Sequence, residues 1–287
     1  MGRVLDTRVH GAEESVALIA PLHQIRRAMI ALGLTVIALS CTALAEEETA
    51  ATQEFVPPDY ALFEQGRYVF KQHCAVCHGE RGDGQGDMAP DLVIKPRNFR
   101  LGLFKYRSTP WGKLPTTDDL LRTVKGGRTG TAMGIFNFLP EKDLRAVVEY
   151  VKFFSRKWRH AENHAPPVTI PPEPAWLTSA GDRATHADAG SQVFQTICAS
   201  CHGADGSGNG PVAAGLRDIW DNPSQPADLR GHLRSGDAPS DIYRVLMTGL
   251  NGTPMVSFAH AFTPEQKWDL VAYVLSLRGT APEEKKP

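Results

Sequence analysis

Two copies of one five-residue motif constrain this chain more than any other feature. Cys74, Cys77 and His78 form a Cys-x-x-Cys-His pentad, and Cys198, Cys201 and His202 form another 124 residues later. The chain has five cysteines in all, and the fifth, Cys41, stands apart. Three chemistries use cysteine pairs at this spacing. A structural zinc site wants four ligands gathered in one fold, but here the pairs lie 124 residues apart in equivalent settings. A thioredoxin-like dithiol wants a βαβ context, and no alternating strand pattern surrounds either pentad. Haem attachment needs only what each pentad has: two thiols to form thioethers with the vinyl groups, and an adjacent imidazole beneath the iron. The expectation is therefore two covalent haem c groups, on Cys74 and Cys77 and on Cys198 and Cys201, with His78 and His202 as proximal ligands.

The pentads sit in a longer internal repeat. Residues 66–86 overlay residues 190–210, and Gly66, Val69, Phe70, Ala75, Gly79, Gly82, Gly84 and Gly86 recur along with the pentad. Further on, Gly130-Thr-Ala-Met133 recurs as Gly252-Thr-Pro-Met255, at an offset of 122. Two homologous modules of about 110 residues account for this. The glycine-rich stretches after each pentad read as loops, because no strand precedes them as a phosphate-binding loop would require.

The repeat also proposes the second axial ligands. Methionine sulfur is the usual partner of histidine in cytochromes c and raises the reduction potential. Met133 and Met255 occupy matched places, each after a Gly-Thr-x turn and before a proline-started helix. Met247 falls inside a helical run and Met88 in a loop, where a methionine is ordinary packing. His160, His164, His232 and His260 are the histidine rivals, and none has a matched position in the other module. His73 and His186 have no ligand argument.

Helical periodicity dominates each module. It predicts helices over 60–73, 117–125 and 140–158 in the first module, and over 188–197, 240–248 and 264–277 in the second. The fold class is thus all-α: two tandem modules, 46–160 and 183–287, joined by a proline-rich linker over 161–182. Prolines 166, 167, 171, 172 and 174 favour an extended, semi-rigid spacer. Residues 1–45 read as a signal peptide, with Arg26 and Arg27 before an uncharged apolar run and small residues ahead of the expected cut after Ala45. The alternatives are a retained membrane anchor and a lipidated Cys41.

At the pentads and the Gly-Thr-x-Met turns the chain resembles the class I cytochromes c, specifically the bacterial dihaem proteins with two tandem modules. The resemblance spans 60–277 and implies crossed amino- and carboxy-terminal helices with a partly exposed haem edge. It departs from the family in having Gly134 and Val256, not proline, directly after the two methionines.

Charge adds a hypothesis about partners. The formal net charge of −1 gives no support to nucleic-acid binding. Between Lys95 and Arg128, however, nine residues are basic and only Asp118 and Asp119 acidic. Such a stretch could steer an acidic redox partner to the first haem; alternatively Arg97, Lys105 and Arg107 neutralise haem propionates. The function expected is electron transfer between respiratory redox partners in the periplasm, as a free carrier or a subunit of a dehydrogenase, reductase or oxidase complex, not an enzyme in itself. A dihaem peroxidase with one open iron is the alternative, and a gas sensor would need an open site too.

Overall fold

The computed structural model describes residues 58–278; the expected signal peptide, its cleavage point and Cys41 lie outside them. Six helices carry the architecture: α1 (Phe63–His73), α2 (Thr117–Gly126) and α3 (Glu141–Phe153), then α4 (Ala180–Val193), α5 (Pro239–Thr248) and α6 (Pro264–Ser276). Among the described residues the β content is a single isolated bridge, Arg217 with Pro223. None of these helices is long and apolar enough to cross a membrane.

The helix starts follow from local chemistry. Thr116 caps α2 by accepting from the Asp119 amide, while the Asp119 carboxylate accepts from the Thr116 amide at 3.0 Å. Thr263 and Gln266 form the same reciprocal box at α6, ahead of Pro264 in the first turn. Each box satisfies amides that a helix start leaves without partners.

Each module has its own core. In the first, α1 presents Val69 and Phe70 to Leu144, Val147 and Val148 of α3, with Leu114, Leu120 and Trp158 closing around them. In the second, Phe194 meets Leu270, Val271 and Val274 of α6, with Tyr243 and Leu246 from α5. The terminal helices of each module cross at a glycine. A Cβ on Gly66 would lie 2.0 Å from the Ala146 carbonyl oxygen, and one on Gly190 would lie 2.0 Å from that of Asp269. Any side chain there would separate the helices.

Two element boundaries differ from expectation. Helix α3 ends at Phe153, and the chain turns at Ser155 into a short 3-10 segment, Arg156–Arg159. Trp158 is buried all the same, so its apolar spacing in sequence reports burial and not continued helix. Helix α4 begins at Ala180, eight residues before the expected start. Its first half has no apolar stripe; it is held through its own His186, which stacks on Trp176 at 3.7 Å and bonds Asp269 at 2.6 Å. The proline-rich segment is likewise tied down: Leu114 donates to the Asn163 carbonyl and Val168 to that of Ser108.

The modules also meet directly. Arg107 is 3% exposed. Its guanidinium donates to the main-chain carbonyls of Thr248 and Gly249 in the second module. Asn251, also buried, accepts from the Gly112 amide at 3.2 Å and donates to the Lys113 carbonyl at 3.4 Å. The Arg97 guanidinium lies over the Trp220 ring, 4.5 Å from its centroid.

Candidate haem sites

Helix α1 delivers the first pentad. Cys74 donates to the Phe70 carbonyl and then leaves helical geometry, and Ala75–His78 forms one further turn. The glycine-rich loop wraps this turn: Gly84 donates to the His78 carbonyl, Gly86 to Cys77 and Met88 to Val76. The second module repeats all three bonds, from Gly208 to His202, Gly210 to Cys201 and Val212 to Ser200. The close approach explains the recurring glycine, since a Cβ on Gly86 would lie 2.4 Å from the Val76 carbonyl oxygen. These loops thus serve as collars for the pentads. One local difference stands out: Phe194–Cys198, leading into the second pentad, is a π-helical segment where the first module stays α-helical. Such segments concentrate at functional sites.

Both histidines are oriented the same way. His78 Nδ1 lies 3.0 Å from the Arg97 carbonyl oxygen, and His202 Nδ1 lies 3.3 Å from that of Ala227. A carbonyl only accepts, so Nδ1 carries the proton and Nε2 keeps a lone pair for a metal. Burial lowers the pKa of both imidazoles, which favours the neutral, ligating form. The cysteine surroundings point the same way. Burial, and then the neighbouring Cys77, push the Cys74 thiol up to about 12. Burial and Cys201 push Cys198 up to about 11. Such sites suit neutral sulfur, as in a thioether, and oppose a thiolate zinc ligand. No group of three or more His, Cys, Asp or Glu that could hold a bare metal ion occurs among the described residues.

A cavity opens beside the first pentad. Cys77, His78, Phe99, Leu120, Val124 and Val148 line it, and Met133 stands in its wall. The two methionine turns are built alike. Arg128 donates to the Met133 carbonyl, and the Met133 amide donates to Thr131 Oγ1 at 3.1 Å. In the second module Leu250 donates to the Met255 carbonyl, and the Met255 amide donates to Thr253 Oγ1 at 3.2 Å. Met255 packs against the second core, together with Phe258. The histidine rivals lie elsewhere. His160 and His232 are exposed and paired with Glu162 and Asp237, His164 bonds the Trp158 carbonyl, and His260 is exposed.

The sequence left the basic stretch either as a docking face or as partners for haem propionates, and one of its members does neither. Arg107 is buried against the second module. Lys105 lines the first cavity with Arg97 and Arg128, where the propionate alternative put it. Sequence reasoning also missed the Arg97 and Ala227 carbonyls that orient the histidines; the prolines just before them, Pro96 and Pro226, were the available signal.

Crossed helices, a collared Cys-x-x-Cys-His turn and a matching methionine loop, present twice, define a dihaem c-type cytochrome. The chain belongs to the cytochrome c family, whose model matches residues 63–154 and again 187–278. Among curated proteins it is similar to the fructose dehydrogenase cytochrome subunit of Gluconobacter japonicus, 23% identical over 245 residues, 76% of this chain and 49% of that one. This chain therefore spans about half the length of that relative. It is also similar to the cytochrome bc1 complex cytochrome c subunit of Corynebacterium diphtheriae, 22% identical over 88% of this chain and 78% of that one. Among solved structures, a chain of the Kuenenia stuttgartiensis reducing HAO-like protein complex is 37% identical. The match covers 75% of this chain and 96% of that one, with a TM-score of 0.70. The protein carries two covalent haem c groups, and its function is electron transfer.

Proposed function

We propose that this chain is an exported electron-transfer subunit of a larger oxidoreductase complex, with no catalysis of its own. In this reading His78 and Met133 hold one iron and His202 and Met255 the other. The observation that supports it is the shared construction of the two methionine turns, in which each methionine carbonyl accepts from a main-chain amide and each methionine amide donates to a threonine hydroxyl. Haem c supplies one-electron chemistry when bound; the chain's part is to hold, orient and exclude water. An iron with both axial positions filled suits transfer and leaves no place for a substrate. The first cavity supports this over peroxide reduction: its lining includes no carboxylate and no histidine besides His78. Partnership within a complex is supported by relatives whose names place them in a fructose dehydrogenase, a bc1 complex and a cbb3-type oxidase.

The test is an optical spectrum of the holoprotein, oxidised and then reduced, with carbon monoxide added last. A sulfur-to-iron charge-transfer band and no carbon monoxide shift are expected. Carbon monoxide binding to either haem would overturn the closed-iron reading.

A further inference from the structure

The cavity of the first module is not built by the first module alone. Arg234, from the second module, lies in its wall beside Arg97, Lys105 and Arg128. Its Nε is buried and has no hydrogen-bond partner. Arg128 Nε is in the same condition. Among the described residues none of these four cations forms an ion pair. The carboxylate that acts on Arg97 and Lys105 is Asp218, and it is already engaged by the amides of Trp220 and Asn222 and by the Asn222 side chain. Four cations without an ion pair, two of them with a buried and unpartnered Nε, describe a receptor for an anion. Unpaired buried donors are costly and are rarely left so. The anionic part of a haem is its pair of propionates, and this wall meets the same cavity as Cys77 and His78.

We propose that Arg234 of the second module is a positioning residue of the first haem site, pairing with a propionate and holding that haem's reduction potential up. The proposal rests on haem c being held by the first pentad. It makes the first site incomplete without the second module. The electrostatics run in one direction. Reduction adds an electron, so a nearby fixed cation favours the reduced state, and removing it lowers the potential. The low-dielectric setting strengthens the effect relative to a surface charge.

The experiment is a redox titration of the holoprotein followed by NMR, the first haem being assigned through contacts with Leu120 and Val124. Arg234→Gln should lower the first haem's reduction equilibrium about tenfold, about 59 mV for one electron. Arg234→Lys should restore at least half of that shift. Asn251→Ala, which removes two hydrogen bonds between the modules and no charge while Arg107 still holds them together, should leave the first haem's potential in place. An unchanged first haem in Arg234→Gln would overturn the proposal, as would a shift confined to the second haem. An equal fall in Asn251→Ala would overturn it too, by assigning the effect to interface integrity. None of these outcomes depends on whether carbon monoxide binds, so they are separate from the test of the axial ligands.

Discussion

Arg107 of the first module donates to the main-chain carbonyl of Thr248 in the second, at the end of α5 and just ahead of the Met255 turn. With its second bond to Gly249, it caps carbonyls that a helix end leaves without partners. The two modules therefore share a buried charged hydrogen bond, not merely a linker. Arg107→Met keeps the apolar stem but leaves the Thr248 carbonyl unpaired inside the interface, while Gly249 keeps only its bond from the Thr248 hydroxyl. Charge-assisted bonds of this kind contribute about 1.5–3 kcal/mol each. We expect a loss of about 3 kcal/mol and, in calorimetry, separation of one transition into two. A single transition at the wild-type midpoint would mean that the interface does not couple the modules.

The helix crossings set a second expectation. A Cβ on Gly190 would meet the Asp269 carbonyl carbon at 2.4 Å as well as its oxygen, and both are rigid backbone. Overpacking in a tight core costs about 1–3 kcal/mol. Gly190→Ala should fall at the upper end, about 3 kcal/mol, read as a lower urea midpoint of the second module. Gly66→Ala should do the same in the first. A change within measurement error would show that the helices slide apart freely.

Much of this arrangement was legible in the sequence because it repeats. The pentads, the collar glycines and the methionine turns are local devices, and each is spelled by residues close together in the chain. Helix α2 was legible for a similar reason: Asp118 and Asp119 stand in its first turn, where a helix start favours acidic residues. Helix α4 was not, because its first half is held by the ring of Trp176 and the carboxylate of Asp269, one of them 83 residues from its partner His186. The module interface was illegible for a different reason. Arg107 bonds carbonyl oxygens, which every residue has, so no pattern in the second module announces its partners. A run of basic residues reads as a solvated face until a structure shows which members are buried.

Asp237 gives a pH-dependent test. Burial pushes its carboxyl up, but the Leu233 amide, His232 and Arg278 outweigh that and hold it at about 2, below its ordinary 3.8. A depressed carboxylate stabilises the fold above its unfolded pKa, and that contribution disappears as pH falls through the folded value. The side chain is 43% exposed, so solvent screening limits the gain to about 1 kcal/mol. Asp237→Asn should therefore lower the urea midpoint at pH 6 and match wild type near pH 2. A difference that persists at pH 2 would assign the effect to shape instead of charge.

The axial ligands can be tested one at a time because their loops are held by main chain. The Met133 amide and carbonyl bond Thr131 and Arg128, and those of Met255 bond Thr253 and Leu250, so neither turn depends on the thioether for its shape. Replacing either methionine with alanine should open one iron and leave the other closed. Half of the haem should then bind carbon monoxide in each single variant and all of it in the double variant. The opened haem's potential should fall, since methionine sulfur raises it. Both side chains are partly buried, so each truncation should also cost about 2 kcal/mol of stability, the low end for methionine to alanine. If Met255→Ala opens an iron and Met133→Ala does not, the sixth ligand of the first haem is another side chain.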